Sequence, residues 1–323
     1  MLEQGLERRR DWLDQQRPQS FRAFHGWSEG CPGVSLDRYG EMALLQLFRP
    51  TPDLPPWEEL EGWCRQQLGC QLLVVWQREQ RRAHRVYPQG PLPASIWAPE
   101  GDLQFAVHTD PRGQDPDLFL DTRSVRRWLR GLPRSGWQIL NLFSYTCSLG
   151  IAADAAEVAR VINVDFSASA LEVGVRNAER NGCRHQEFVC EEAYPVLWQL
   201  AGRSLPARAR KRGKPTLRLP ATRFDCVLID PPALSKGFFG SVDVVHDYQS
   251  LLRPCLELLA PGGRILACNN SPRVPLEAFL DVLTRCARKA GRPIASATPL
   301  PSDPDFPALG EAALKAIWLE FND

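Results

Sequence analysis

With 323 residues, 44% of them hydrophobic and 24% charged, the chain has the length of about two domains and the composition of a folded protein, which excludes disorder as its default state. A formal net charge of +1 gives no global attraction to nucleic acid, so binding of that kind has to come from local patches. No run approaches the roughly 18 apolar residues of a membrane span. The start, M-L-E-Q-G-L-E-R-R-R, lacks the apolar core of a signal peptide, so a cytoplasmic protein with no membrane partner is expected. The ten cysteines include no C-x-x-C pair, which favours buried, reduced thiols over a disulfide frame or a zinc site, and no metal is expected.

Residues Leu2 to Gln16 alternate charge with Leu and Trp at helical spacing, which predicts an amphipathic leading helix. Pro32 to Gly40 followed by M-A-L-L-Q-L-F reads as two strands around a Tyr-Gly turn. Pro55 to Gln67 reads as a helix with proline at its start, and Leu72 to Trp76, His84 to Tyr87 and Leu103 to His108 as further strands. These make a small N-terminal α+β domain over residues 1–98, with the proline-rich stretch Pro88 to Pro99 as linker. From Phe119 the texture changes to alternating strand and helix. Helices are expected at Phe119 to Leu132, Ser148 to Val158, Ser167 to Asn181, Glu192 to Leu200, Val244 to Leu259 and Leu276 to Ala290. Strands are expected at Gln138 to Leu142, Val161 to Val164, Glu187 to Cys190, Asp225 to Ile229, Arg264 to Cys268, Ile294 to Ala297 and Ala313 to Glu320. Such repetition predicts an α/β domain over residues 99–323 on a doubly wound parallel sheet, with ligands at the carboxyl ends of its strands.

One local patch is basic. Between Ala193 and Phe224 there is no acidic residue, while Arg203, Arg208, Arg210, Lys211, Arg212, Lys214, Arg218 and Arg223 are all positive. This is either a solvated surface insertion or, from its position beside the Asp230 strand end, a phosphate contact.

The stretch from Ile139 to Asp165 carries the most chemistry. An apolar strand runs into S-Y-T-C-S-L-G, a helix follows, and a second strand, V-I-N-V-D, ends in Asp165. A turn after the first strand brings backbone N–H groups to a ligand, and an acid closing the second can accept both ribose hydroxyls. A nicotinamide dinucleotide fold would show G-x-G-x-x-G where this chain has S-Y-T-C-S-L-G, and without those glycines the backbone cannot approach a diphosphate. S-adenosylmethionine carries no phosphate and needs only a snug turn, so it is the cofactor the pattern favours. Asp230-Pro231-Pro232 and Pro261-Gly262-Gly263 belong to the same sheet.

The segments L-F-L-D-T-R-S-V-R-R from Leu118, N-L-F-S-Y-T from Asn141, N-V-D-F-S from Asn163, L-E-V-G-V-R-N-A-E-R-N-G from Leu171, I-D-P-P-A-L-S-K from Ile229 and N-N-S from Asn269 together resemble the bacterial 23S rRNA large-subunit methyltransferases of the cytosine carbon-5 and guanine N-7 types. P-G-V-S-L-D-R-Y-G resembles the small domain that precedes the catalytic half in that family, so the likeness runs from about Cys31 to the C-terminus. It implies a Rossmann-like class I methyltransferase domain acting on ribosomal RNA or an immature large subunit. The implied cofactor pocket falls on Asn141, Phe143, Ser144, Tyr145 and Thr146, with Asp165 on the ribose and Phe166 and Ser167 at the adenosine. Glu192 would face the adenine amino group, Asp230 would mark the place of methyl transfer, and Arg123 would close the site. Blander roles stand beside these: Phe143 and Phe166 as core, Asn141 and Ser144 as turn-formers, Arg123 as a surface helix residue. The chain departs from the family at Cys147 and Asp117, where glycine is usual, and the residues before Cys31 leave no room for an RNA-binding leader domain, which shifts RNA capture to the small domain and the basic run.

Methylation at a pyrimidine carbon 5 needs a thiolate that adds to the ring. The resemblance places that cysteine at Asn270, and Cys268 is two strand residues away, about 6.6 Å on the same face, too far for the same attack. The pair Asn269-Asn270 instead matches the guanine N-7 branch, whose nucleophile already has a lone pair and needs only positioning. Asp230 and Asn270 are therefore the catalytic candidates, with a strand-end turn as the alternative for the Asn pair. Exocyclic amino methylation is disfavoured because Ala233 replaces the aromatic residue that would follow Asp-Pro-Pro. Tyr145, Phe238, Phe239 and Tyr248 could stack an extruded base. A small-molecule methyltransferase and a non-catalytic RNA-binding relative remain as other classes.

Overall fold

The computed structural model describes residues 1–49, 54–79, 82–113, 115–133, 135–154, 158–205 and 218–322. Contacts divide the chain into Met1–Arg123 with Ser302–Gly310, and Ser124–Pro301 with Glu311–Asp323.

In the first unit, α1 (Leu2–Glu7) and α2 (Arg10–Gln16) lead into β1 (Ser20–His25), β2 (Val34–Tyr39), β3 (Met42–Leu47), α3 (Trp57–Trp63), β4 (Leu72–Arg78) and β5 (Ala83–Tyr87). The strands form one sheet in the order β1-β2-β3-β4-β5. Only the β3–β4 pair is parallel, because α3 makes the crossover between them. Phe21, Leu36, Leu45, Leu60 and Val75 fill its core. The leading helix is broken in two at Arg8 and Arg9. Arg9 turns inward, 1% exposed, and its guanidinium meets both carboxylate oxygens of Glu29 at 2.7 and 2.9 Å. Two strands escape the hydrophobic pattern: β1, and β6 (Ser95–Glu100), which pairs with β7 (Leu103–His108) as a hairpin. The expected boundary at 98/99 thus falls inside β6, where Ala98 pairs with Phe105, both fully buried, and this unit runs on to Arg123.

The second unit begins with α4 (Arg123–Gly131, its first residue counted with the first unit) and alternates through β8 (Gln138–Leu142), α5 (Ser148–Ala153), β9 (Arg160–Asp165), α6 (Ala168–Arg180), β10 (Gln186–Cys190), α7 (Ala193–Leu200) and β11 (Phe224–Ile229). A small hairpin, β12 (Leu234–Lys236) and β13 (Ser241–Asp243), precedes α8 (Tyr248–Glu257), β14 (Leu259–Asn269), α9 (Leu276–Lys289), β15 (Ile294–Pro299) and β16 (Lys315–Phe321). The seven-stranded sheet has the order β10-β9-β8-β11-β14-β16-β15. Its first five strands are parallel, and β16 runs antiparallel to both neighbours. Apolar side chains fill both faces, Leu140, Val164 and Ile229 on one and Ile139, Val161 and Leu228 on the other, as a doubly wound, Rossmann-like sheet requires. Strand order reverses between β8 and β11, which opens a crevice beyond their carboxyl ends.

A charged cluster in the first unit has a consequence for acid stability. Arg22 holds Asp37 through two contacts of 2.7 and 3.0 Å and donates a third bond, 3.0 Å, to Nδ1 of His25. Burial and the guanidinium of Arg22, helped by Arg9 and opposed by Asp37 and Glu29, push the His25 imidazole down to about 4. Its folded value lies below the unfolded value of about 6.5, so its contribution is complete above pH 6.5 and is lost as pH falls toward 4, up to about 3 kcal/mol. His25→Asn, which keeps an acceptor for Arg22, should melt most like the parent near pH 4, where the imidazole's contribution is gone, and show a flatter pH dependence between 6.5 and 4. Parallel slopes in thermal melts across that range would refute this.

Candidate functional site

Five of the residues singled out in the sequence stand at or just past the carboxyl ends of five neighbouring parallel strands: Phe143 after β8, Asp165 on β9, Glu192 after β10, Asp230 after β11 and Asn270 after β14. The bend after β8 is strained. Phe143, Tyr145 and Cys147 all have positive φ, 57°, 48° and 66°, a conformation that costs a non-glycine residue about 1–3 kcal/mol. It is held by Ser144 N–H on the Val164 carbonyl at 3.0 Å, Cys147 N–H on Ser144 at 2.7 Å, and Tyr145 N–H on Oδ2 of Asp165 at 2.9 Å. Oδ1 of the same carboxylate accepts Ser167 N–H at 2.8 Å. Burial pushes the Asp165 carboxyl up, against the opposing pull of the backbone N–H groups of Ser167, Tyr145 and Phe166. Ser167 caps α6 by accepting from Ala170 N–H at 3.3 Å, and Phe166 beside it is 63% exposed.

Several supports of this bend lie outside the sequence reading. Nδ2 of Asn177 on α6 donates to the Thr146 carbonyl at 3.1 Å. Cys147 is fully buried, and a Cβ on Gly174 would lie 2.5 Å from its Sγ, so the glycine of α6 makes the space that the cysteine fills. Burial pushes the Cys147 thiol up to about 12, which removes it as a nucleophile. Asn141 does not open onto the crevice. It is 1% exposed and donates at 2.8 Å to Asn163, which donates at 2.7 Å to Gln186 in a buried ladder across β8, β9 and β10. Gly150 of α5 packs on that ladder, since its Cβ would meet Asn163 Oδ1 at 2.2 Å. Polar residues at matching depth in adjacent apolar strands were the available signal.

Arg123, Glu192 and two described residues of the basic run are held by protein partners. Arg123 is not free to close a cofactor site: within the first unit it is buried, with Nε on Asp303 at 2.8 Å, Nη2 on Asp305 at 2.6 Å and Nη1 on the Ser20 carbonyl at 2.8 Å. Both oxygens of Glu192 are engaged, accepting Phe238 N–H at 3.1 Å and Phe239 N–H at 3.0 Å. Two described residues of the basic run, Arg203 and Arg223, do not adjoin Asp230. Arg223 immediately precedes β11, and it and Arg203 both bond Glu257, about 20 Å of strand away from the end that carries Asp230. Arg208, Arg210, Lys211, Arg212 and Lys214 lie outside the described residues. At the end of β14 the Asn pair divides: Asn269 is buried, bonding the Val244 carbonyl at 2.8 Å and Ser271 N–H at 2.9 Å, and Asn270 is exposed.

A profile of the S-adenosylmethionine-dependent methyltransferases matches residues 62–320. The chain belongs to that family. A relative from Yersinia pseudotuberculosis, named ribosomal RNA large subunit methyltransferase I, is 27% identical over 304 residues, covering 88% of this chain and 69% of that protein. The solved methyltransferase SMU.776, complexed with SAH, superposes with a TM-score of 0.77 at 21% identity, over 99% of this chain and 80% of that one. A methyltransferase from Agrobacterium tumefaciens gives 0.64 at 18%, over 90% and 88%. The described residues of this methyltransferase fit the cofactor. The Asp165 carboxylate accepts Tyr145 and Ser167 N–H on different oxygens and, with about four acceptor positions, keeps capacity for a ribose hydroxyl. The turn after β8 has no phosphate-cradling glycines.

Asp165→Asn would set an amide NH2 against one of two N–H donors. It should weaken S-adenosylhomocysteine binding by about 10-fold or more and cost about 1–3 kcal/mol of stability, read by calorimetry and melting; unchanged affinity would argue against the ribose role. Gly174→Ala should destabilise by about 1–3 kcal/mol through the clash with Cys147. In a Cys147→Gly background the same change should become neutral or stabilising, because alanine is the better helix former by about 1 kcal/mol. Equal effects in both backgrounds would refute that packing.

Proposed function

We propose that this methyltransferase modifies a base of 23S ribosomal RNA, at guanine N-7, on free RNA or an immature large subunit in the cytoplasm. The name and long alignment of the Yersinia relative support the ribosomal substrate. The choice of base rests on the end of β14, where Cys268 is 0% exposed inside the core while Asn270 stands open. A carbon-5 reaction needs a presented thiolate, which this strand end does not offer. A guanine N-7 lone pair needs neither a covalent catalyst nor a base.

When bound, S-adenosylmethionine supplies an electrophilic methyl group on a sulfonium. Ile229 of β11 pairs with Ala267 of β14, so Asp230 and Asn270 emerge from the same edge of two neighbouring strands. Transfer to N-7 would leave the guanine ring with a positive charge and no proton to remove. The carboxylate of Asp230 stabilises that charge, and the Asn270 amide can donate to guanine O6. Holding the partners in line contributes about 7–11 kcal/mol at best.

Deleting the gene should remove one 7-methylguanosine from 23S RNA, and the purified protein should restore it on RNA or immature subunits from those cells. Asp230→Ala should lower kcat by about 100-fold with little change in S-adenosylhomocysteine affinity. Loss of a 5-methylcytidine instead would overturn the assigned base. An unaltered RNA that accepts no label would overturn the ribosomal reading.

A further inference from the structure

The β12–β13 hairpin leaves the sheet directly after Asp230-Pro231-Pro232, at the end of β11. Its tip is fastened to Glu192, at the end of β10, by the two N–H bonds from Phe238 and Phe239. In the sheet order, β8 and β9 lie between those two strands. The hairpin therefore spans three strand spacings, about 14 Å, along the carboxyl edge where Asp165 stands. The reach has a strict local condition: a Cβ on Gly237 would lie 2.2 Å from Oε2 of Glu192. At the tip, Gly237 N–H closes on the Gly240 carbonyl at 2.8 Å, and Phe238 presents a ring that is 49% exposed. That ring is backed edge-on by Phe239 at 5.0 Å, itself 5% exposed and edge-on to Trp198 of α7 at 5.9 Å. An apolar ring left half in water yet fixed by backbone bonds and by Phe239, which is itself packed on Trp198, is built as a contact surface.

We propose that Phe238 is a stacking platform for the adenine ring of S-adenosylmethionine, and that Glu192 is a positioning residue that holds this platform rather than the adenine amino group. The occupant follows from where the tip is anchored, beyond β9 and its Asp165, on the adenosine side of the crevice. A carboxylate suits the task because it has two acceptor oxygens for two consecutive N–H donors, whereas a glutamine would turn an NH2 toward one of them.

Binding of S-adenosylhomocysteine by calorimetry tests this without turnover. Phe238→Ala should weaken it by about 5- to 100-fold, the range of a lost base–aromatic stack, with Phe238→Leu nearly as weak and Phe238→Trp close to the parent. Glu192→Gln should weaken it through the same contact, so that Glu192→Gln combined with Phe238→Ala is no worse than Phe238→Ala alone. Affinity within about twofold of the parent in Phe238→Ala overturns the platform, including the case in which only the KM for the acceptor rises, which would assign the ring to the acceptor base. Additive losses in the double variant overturn the positioning role and return Glu192 to direct contact with adenine.

Discussion

The carboxylate of Asp165 receives N–H groups from two different loops, Tyr145 after β8 and Ser167 before α6, and the geometry of the candidate site depends on that shared acceptor. It fixes the ends of two adjacent strands to each other at the point where the crevice opens. Burial makes the charge costly, as its raised proton affinity shows, and the surrounding amides offset part of that cost. The same group then retains lone pairs for a sugar, so one side chain both shapes the turn and faces the ligand.

The bend itself is made of residues that disfavour its conformation. Phe143, Tyr145 and Cys147 adopt left-handed backbone angles, and no glycine relieves them. What holds them is packed underneath: Asn177 on the Thr146 carbonyl, Gly174 opposite the Cys147 sulfur, and the Asn141–Asn163–Gln186 ladder beneath Gly150. Strain of this kind persists only where the surroundings over-determine it. The unusual Cys147 is thus accommodated by the helix behind it and leaves the crevice side of the turn unobstructed by its own side chain.

The parallel strands of the second unit were legible because each is a short apolar run bounded by turn residues, and β8 matches its expected span from Gln138 to Leu142. Strand ends that coincide with Asp165 and Asp230 could be located for the same reason. The hairpin at 234–243 was not legible: three-residue strands carry too few alternations to register, and their pairing is set by Glu192 and Gly237. Polar partners were the other blind spot. A single Asn, Arg or Glu in a sequence looks available to a ligand, yet Asn141, Arg123 and Glu192 find protein partners from distant segments, Arg123 from about 180 residues away. Arg223 shows a related error, since it lies close to Asp230 in sequence but at the opposite end of β11.

The first unit is not contiguous along the chain, for residues 302–310 complete it. Arg123 finds Asp303 and Asp305 there, Arg22 bonds Asp305 through its backbone N–H at 2.9 Å, and Arg9 reaches the Asp305 carbonyl at 3.1 Å. During synthesis the amino-terminal sheet therefore emerges with one arginine, Arg123, whose counter-charges are still untranslated, and an uncompensated buried charge costs about 3–5 kcal/mol. The unit that leaves the ribosome first must wait for residues 302–310, and a fragment ending at Arg123 would lack the two carboxylates that neutralise that arginine.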